Sequence, residues 1–179
     1  MSFRSVMNAV ESLRGAGARE RCVGAMAPEI GDPLRYGQIV AGGWYPIGWY
    51  KAMWQGVLAG AQGGPELVRQ VAHECMRQDT AGVYRLVMRL VSPETVFAGA
   101  SRFFSTYYDT GTLQVRHRDT GFARAEWTGC AGFDRTMWQE VVASGEALVE
   151  FAGGKHVRHR ILSGGRDGDV DTVSEVHWV

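Results

Sequence analysis

Thr112-Leu113-Gln114-Val115-Arg116-His117-Arg118-Asp119-Thr120-Gly121-Phe122-Ala123-Arg124-Ala125-Glu126-Trp127 is the stretch in which the chain changes its period. Leu113, Val115 and His117 alternate with Gln114, Arg116 and Arg118, the two-residue repeat of a strand with one buried face. Asp119-Thr120-Gly121 then turns the chain into a second run from Phe122 to Trp127, so the stretch reads as a hairpin.

Upstream of that hairpin the apolar residues recur at helical spacing. Phe3, Val6, Met7, Val10 and Leu13 share one face of a helix that Gly15 and Gly17 end, and a short helix around Ala18 to Met26 follows. Pro28, Gly31, Asp32 and Pro33 mark turns. Trp44-Tyr45-Pro46 opens an aromatic amphipathic run from Ile47 to Ala61, and Pro65 starts a helix striped by Leu67, Val68, Val71, Ala72 and Cys75. Asp79 or Thr80 can cap a further helix carrying Val83, Tyr84, Val87, Met88 and Val91. Ser92-Pro93-Glu94 begins one reaching Tyr108, with Val96, Phe97, Ala100, Phe104, Tyr107 and Tyr108 as its buried stripe.

Downstream, Phe133, Met137, Trp138, Val141 and Val142 restore the helical period until Gly153-Gly154. Strands of about 155–162 and 170–178 close the chain, joined by the turn-rich 163–169. The order is helices, then strand, strand, helix, strand, strand. That segregation predicts an α+β fold with N-terminal helices packed on a C-terminal antiparallel sheet, since parallel strands would each need a crossover helix. One domain is expected over 1–179, with 1–43 an irregular helical arm, 44–111 a helical layer and 112–179 the ββαββ portion.

The 179 residues are 45% hydrophobic, and 19 basic side chains balance 19 acidic ones. A chain of this size can bury roughly 70% of its unfolded surface without disulfide or metal staples. Zero net charge removes the electrostatic argument for nucleic acid as a partner. Cys22, Cys75 and Cys130 are widely spaced with no CxxC, which reads as buried thiols. Arg4, Asn8 and Glu11 interrupt the apolar N-terminal residues, no run has the length of a membrane span, and a cytoplasmic location is expected.

Catalytic and ligand templates mostly fail on this sequence. Gly15-Ala16-Gly17 lacks the third glycine of a dinucleotide fingerprint and follows a helix. Gly99-Ala100-Ser101-Arg102-Phe103 lacks the second glycine of a nucleophile elbow. His73 and Cys75 are two apart on a helix, and His156 and His159 an odd number apart on a strand, so neither pair shares a face for metal. Asp167, Asp169 and Asp171 imitate a calcium loop, but Thr172 and Trp178 stand where its glycine and glutamate belong. No metal is expected, and the acidic residues read as a hairpin turn.

Two features remain. Arg116 and Arg118 share a strand face, as do Arg158 and Arg160. If those strands are neighbours, four guanidiniums line one surface, either as a solvated face paired with Glu126 and Glu175 or as a patch for an anion or acidic partner. The aromatic set is the second: Trp44, Tyr45, Trp49, Tyr50 and Trp54 on one segment, and Phe103, Phe104, Tyr107 and Tyr108 on another. Such rings build either solid core or the apolar wall of a small-molecule pocket.

Trp44-Tyr45-Pro46 leading a helix, the helix from Pro93 ending in Tyr107-Tyr108-Asp109-Thr110-Gly111, the two-strand, helix, two-strand finish, Gly145 and Gly153, and the closing Val176-His177-Trp178 together resemble an uncharacterised family of proteins about 200 residues long, found mainly in myxobacteria. That family is in turn similar to four-vinyl-reductase-like, haem-nitric-oxide-binding and Bet3-like domains. The resemblance covers about 44–179. It implies helices layered on a four- or five-stranded antiparallel sheet, a hydrophobic pocket and a homodimer, without catalysis. A haem-sensing member carries Tyr-x-Ser-x-Arg and an axial histidine, whereas here Tyr108 and Asp109 follow Tyr107 and His73 lacks a matching downstream signature. The expectation is therefore no cofactor, haem included.

The leading functional expectation is a non-enzymatic sensory or regulatory domain binding a small apolar or aromatic ligand between helices and sheet, against Trp49, Tyr50, Trp54, Phe103, Phe104, Tyr107 and Tyr108. The alternative is a protein-interaction or dimerisation module with a solid core and no ligand. An enzyme is the third reading, with His117 or His177 as acid–base group.

Overall fold

The computed structural model describes residues 1–40, 42–79 and 91–179, with the backbone alone at His117. The chain forms two compact units, Met1–Asp79 and Thr80–Val179.

The first unit is helical: α1 (Phe3–Arg14), α2 (Ala18–Gly24), α3 (Pro28–Arg35), α4 (Ile47–Gly60) and α5 (Pro65–Asp79). Ser2 caps α1, its hydroxyl accepting from the Ser5 amide at 3.0 Å. The expected apolar stripe of α1 is real: Val6, Met7 and Val10 have no exposed surface, and α1 packs on α5. Residues 1–35, expected to belong to an irregular arm, thus contribute to a packed core, because each such side chain gains roughly 1.5–3 kcal/mol by leaving water. Where α2 meets α4, a Cβ on Gly60 would stand 2.6 Å from the Arg21 carbonyl oxygen, so only glycine lets the two backbones approach this closely.

The segment read as turns around Pro28 and Pro33 is instead α3, with Pro28 in its first turn and Pro33 inside it. Pro33 removes one amide from the helical ladder. Burial of Ile30, Gly31 and Leu34, three positions on one face, offsets that loss in a helix of 8 residues. The helix expected to start at Asp79 or Thr80 lies outside the described residues.

In the second unit, α6 (Pro93–Ala98) and α7 (Ala100–Tyr107) precede the hairpin β1 (Thr112–Asp119) and β2 (Phe122–Thr128). Then come α8 (Arg135–Phe151), β3 (Arg158–Ser163) and β4 (Thr172–His177). The single helix expected from Pro93 to Tyr108 breaks at Gly99, a residue with no side chain to pack and the weakest helix former after proline. Of its expected buried stripe only Phe104 is fully buried. The sheet is antiparallel throughout, in the order β1-β2-β4-β3. The expected α+β class with a strand, strand, helix, strand, strand finish is the one the chain adopts.

Ala123, Ala125 and Trp127 on β2, with Thr172, Ser174 and Val176 on β4, form the buried face of the sheet. Ala123, Val149 of α8, Val176 and Trp178 cluster there, with Phe97 stacked on Trp178 at 5.6 Å. The opposite face carries charge, and two details of it differ from the sequence reading. First, β1 and β3 are the two outer strands of the sheet, so their arginines are not on neighbouring strands. Second, a register shift between Val115 and His117 makes Arg116 the extra residue of a bulge. Arg116 reaches Glu126 at 2.8 Å while Arg118 falls in register with Ala123, a position of the buried face. One inserted residue reverses the alternation on which the pairing of Arg116 with Arg118 depends.

The acidic turn is structural. The carboxylate of Asp167 accepts from the Arg135 amide at the start of α8, that of Asp169 from the Arg166 amide, and that of Asp171 from the Gly129 amide. Asp134 caps α8 through the Met137 amide at 3.0 Å.

Candidate functional site

The aromatic residues singled out from the sequence fall into two clusters, one in each unit. In the first unit Phe3 of α1 meets Tyr45 and Tyr50 edge-on, at 5.5 and 5.6 Å, and Tyr45 stacks on Trp49 at 5.9 Å. Tyr50 contacts Trp54 edge-on at 6.5 Å. Tyr50 and Trp54 are core residues, Trp54 being only 1% exposed, whereas Trp49 is half-buried. Trp44, first residue of the same segment, is exposed.

In the second unit Phe103 pairs with Tyr107 at 5.1 Å on the outer side of α7, and Phe103 is 39% exposed. Phe104 turns inward. It touches Tyr108 at 5.0 Å and Phe133 at 6.3 Å, and Phe133 in turn contacts Trp138 at 4.8 Å. Trp127 completes the row, edge-on to Trp138 at 6.2 Å. The sequence reading contained Phe104 and Tyr108 but missed Phe133, Trp138 and Trp127, which come from three other elements and share no local spacing with α7.

That row carries polar atoms. Tyr108 donates its hydroxyl proton to Glu140 Oε2 at 2.7 Å, and Ser144 donates to Glu140 Oε1 at 3.1 Å. Glu140 is 2% exposed. Its signal was present in the sequence: Met137, Glu140, Ser144 and Ala147 recur at 3, 4 and 3 residues, so two polar residues sit in the buried stripe of α8. The indole N–H groups of Trp54, Trp127 and Trp138 are buried without an acceptor among the described residues. Each such orphan costs about 1–3 kcal/mol.

Farther along the sheet, His159 of β3 shares a 2.6 Å hydrogen bond with the Ser174 hydroxyl on β4. Burial pushes its imidazole down to about 4, against the opposing influence of Glu146 and of the Val142 carbonyl. The Cys130 thiol is pushed up to about 11 by burial and by the charge of Asp171. His177, weighed as an acid–base group, is exposed, with Nε2 3.9 Å from Glu175. The side chain of His117 lies outside the described residues. Among the described residues no group of three or more His, Cys, Asp or Glu is placed to hold a metal ion, and no helix is long and apolar enough to cross a membrane.

No family model and no curated protein matches the chain. Solved structures do. The Fe(II) unliganded H-NOX protein of K. algicida superposes with a TM-score of 0.70 at 11% identity, covering 99% of this chain and 94% of that one. The H-NOX of Shewanella woodyi, in its Fe(II)CO state with IWP-051 bound, gives 0.68 at 10% identity over 99% and 92%. A structure described as modulating haem redox potential through protein-induced porphyrin distortion gives 0.64 at 10% identity over 97% and 95%. The likeness establishes an H-NOX-like fold. It also overturns the expectation of a chain with no cofactor, haem in particular: the fold is one whose solved examples carry iron. That expectation rested on short stretches of sequence, which at 10–11% identity are too diverged to decide the matter.

Proposed function

We propose that this chain is a non-enzymatic sensory domain that takes a small, largely apolar ligand, the haem-type macrocycles of its structural neighbours included. The observation that carries the reading is the aromatic row of the second unit. Phe104, Tyr108, Phe133, Trp138 and Trp127 combine flat apolar surface with two buried indole donors that lack acceptors among the described residues, the mixture by which a pocket orients an apolar guest. Ring contact of this kind contributes about 25 cal/mol for each Å² of ligand carbon covered. Phe103 and Tyr107 on α7 are the further ring residues of this unit assigned to ligand contact; Trp49, Tyr50 and Trp54 form a cluster of their own in the first unit, a candidate contact surface by itself.

An iron porphyrin also needs an axial donor. Residues 100–107 of α7 contain no histidine or cysteine, His159 is tied to Ser174, and the raised Cys130 disfavours the thiolate that binds iron. The rings suit the face of a macrocycle, and His159, Cys130 and α7 are poor sources of its axial donor.

The interlocking of fully buried rings favours a second reading, a protein-interaction or dimerisation module with a solid core. One experiment separates the two. The protein is purified from haem-replete cells, then examined by absorption spectroscopy and native mass spectrometry, and afterwards titrated with hemin. A Soret band or a co-purified mass, weakened in the half-exposed Phe103→Ala variant, is the expected result. A chain that carries no added mass and takes up no hemin overturns the sensor reading and leaves the module.

A further inference from the structure

The outer face of the sheet is nearly neutralised on three of its strands and unbalanced on the fourth. On β1 and β2, Arg116 pairs with Glu126 at 2.8 Å, and Arg124 reaches Glu175 of β4 at 3.4 Å. Glu175 stands in register with Arg124 on one side and Arg160 on the other, so one carboxylate faces two guanidiniums. Arg158 stands opposite His177, which is no acid. Arg158 and Arg160 are exposed, and neither has an acidic partner within 4 Å among the described residues. The run Lys155-His156-Val157-Arg158-His159-Arg160 contains three permanent cations and no carboxylate.

Among the described residues β3 pairs with a strand on one side only, so the other side of its backbone is an open edge of the sheet. Side chains two apart on a strand stand roughly 7 Å from each other on the same face. On the other face of the strand, in register with the buried Ser174, Ile161 is also exposed at this edge.

We propose that the free edge of β3 accepts an extended acidic segment of a partner protein by strand addition. An antiparallel segment of the pattern apolar-acid-x-acid puts its carboxylates opposite Arg160 and Arg158 and its apolar residue opposite Ile161. A second copy of β3 is the wrong occupant, because antiparallel self-pairing brings arginine against arginine. The bulge between Ile161 and Ser163 limits the docked stretch to the first half of the strand.

The test uses the full chain and a fluorescein-labelled synthetic peptide, Thr-Val-Glu-Thr-Glu-Thr, followed by fluorescence anisotropy. Saturable binding that weakens with salt is expected, with a loss of about tenfold or more in the Arg158→Ser, Arg160→Ser double variant. Arg158→Glu with Arg160→Glu is expected to switch preference to the peptide with lysine in place of glutamate. N-methylation of alternate peptide amides is expected to abolish binding, since strand addition needs those donors. Both arginines are exposed, so circular dichroism of the variants should match the parent. Equal binding of the N-methylated peptide, equal displacement by inorganic phosphate at matched ionic strength, or no saturable binding at low salt would each overturn the proposal.

Discussion

Met1–Asp79 and Thr80–Val179 bury different kinds of side chain. The interior of the first is apolar, from Val6, Met7 and Val10 to Met53, Trp54 and Val57, and a carboxylate it buries, Glu74, sits at 9% exposure. Ser12, Arg77 and Gln78 all hydrogen-bond to that one carboxylate. The second unit buries Glu140, Ser144, Glu146, Thr172 and Ser174 between its helix α8 and its sheet. An apolar interior is specified mainly by volume and tolerates reshaping, whereas a buried polar row is specified by directional bonds and fails when one member is lost. The second unit is therefore the one whose interior should respond to loss of a single polar side chain.

The largest effect should ignore this difference. Trp54 and Trp138 are the largest fully buried side chains of their respective units, so Trp54→Ala and Trp138→Ala should each cost about 3–5 kcal/mol in urea unfolding. Unequal losses, with Trp54→Ala nearly silent, would show that the first unit contributes little to the folded chain's stability.

A smaller effect should expose the difference. Glu140→Leu keeps the volume but strips the acceptor from the Tyr108 and Ser144 hydroxyls, at a cost of about 1–3 kcal/mol. Adding Tyr108→Phe removes one of those stranded donors. The double variant should therefore lose less than the sum of the singles, by about 0.5–3 kcal/mol in a double-mutant cycle. Strict additivity would mean that the row is a list of separate bonds.

Element types were largely legible in the sequence because periodicity is local. The stripe of α1, the period change at Thr112 and the cap at Asp134 each depend on residues within a turn or two of one another. Glu140 was legible in the same way, as a polar residue in the α8 stripe. What was not legible is set by contacts distant in sequence. The bulge at Arg116 depends on pairing with β2, the outer position of β3 on which strand β4 joins, and the Trp127–Trp138 contact on a helix meeting a sheet. The rings on α4 and α7 looked like one set because composition records aromatic density and not membership of a unit.

Acid should separate the units by the smallest margin, in the same direction but in different pH windows and for different causes. His159 is held near 4 against an ordinary value of 6.5, mainly by burial, so the unfolded chain binds a proton that the folded chain refuses between those values. Its contribution to stability therefore falls as pH drops from 6.5 toward 4. Glu74 is held at about 2 against an ordinary 4.5, mainly by its hydrogen bond from Arg77, so its contribution is intact above 4.5 and is lost as pH falls toward 2. Urea midpoints should thus begin to decline near pH 6.5 because of the second unit alone, by about 1 kcal/mol between pH 6.5 and 5.5. His159→Gln should flatten that limb and leave the one below 4 intact, and Glu74→Gln should do the reverse. If His159→Gln keeps the parent slope above pH 4.5, the imidazole is not the group that senses acid there, and the contrast between the two interiors would rest on the Glu140 row alone.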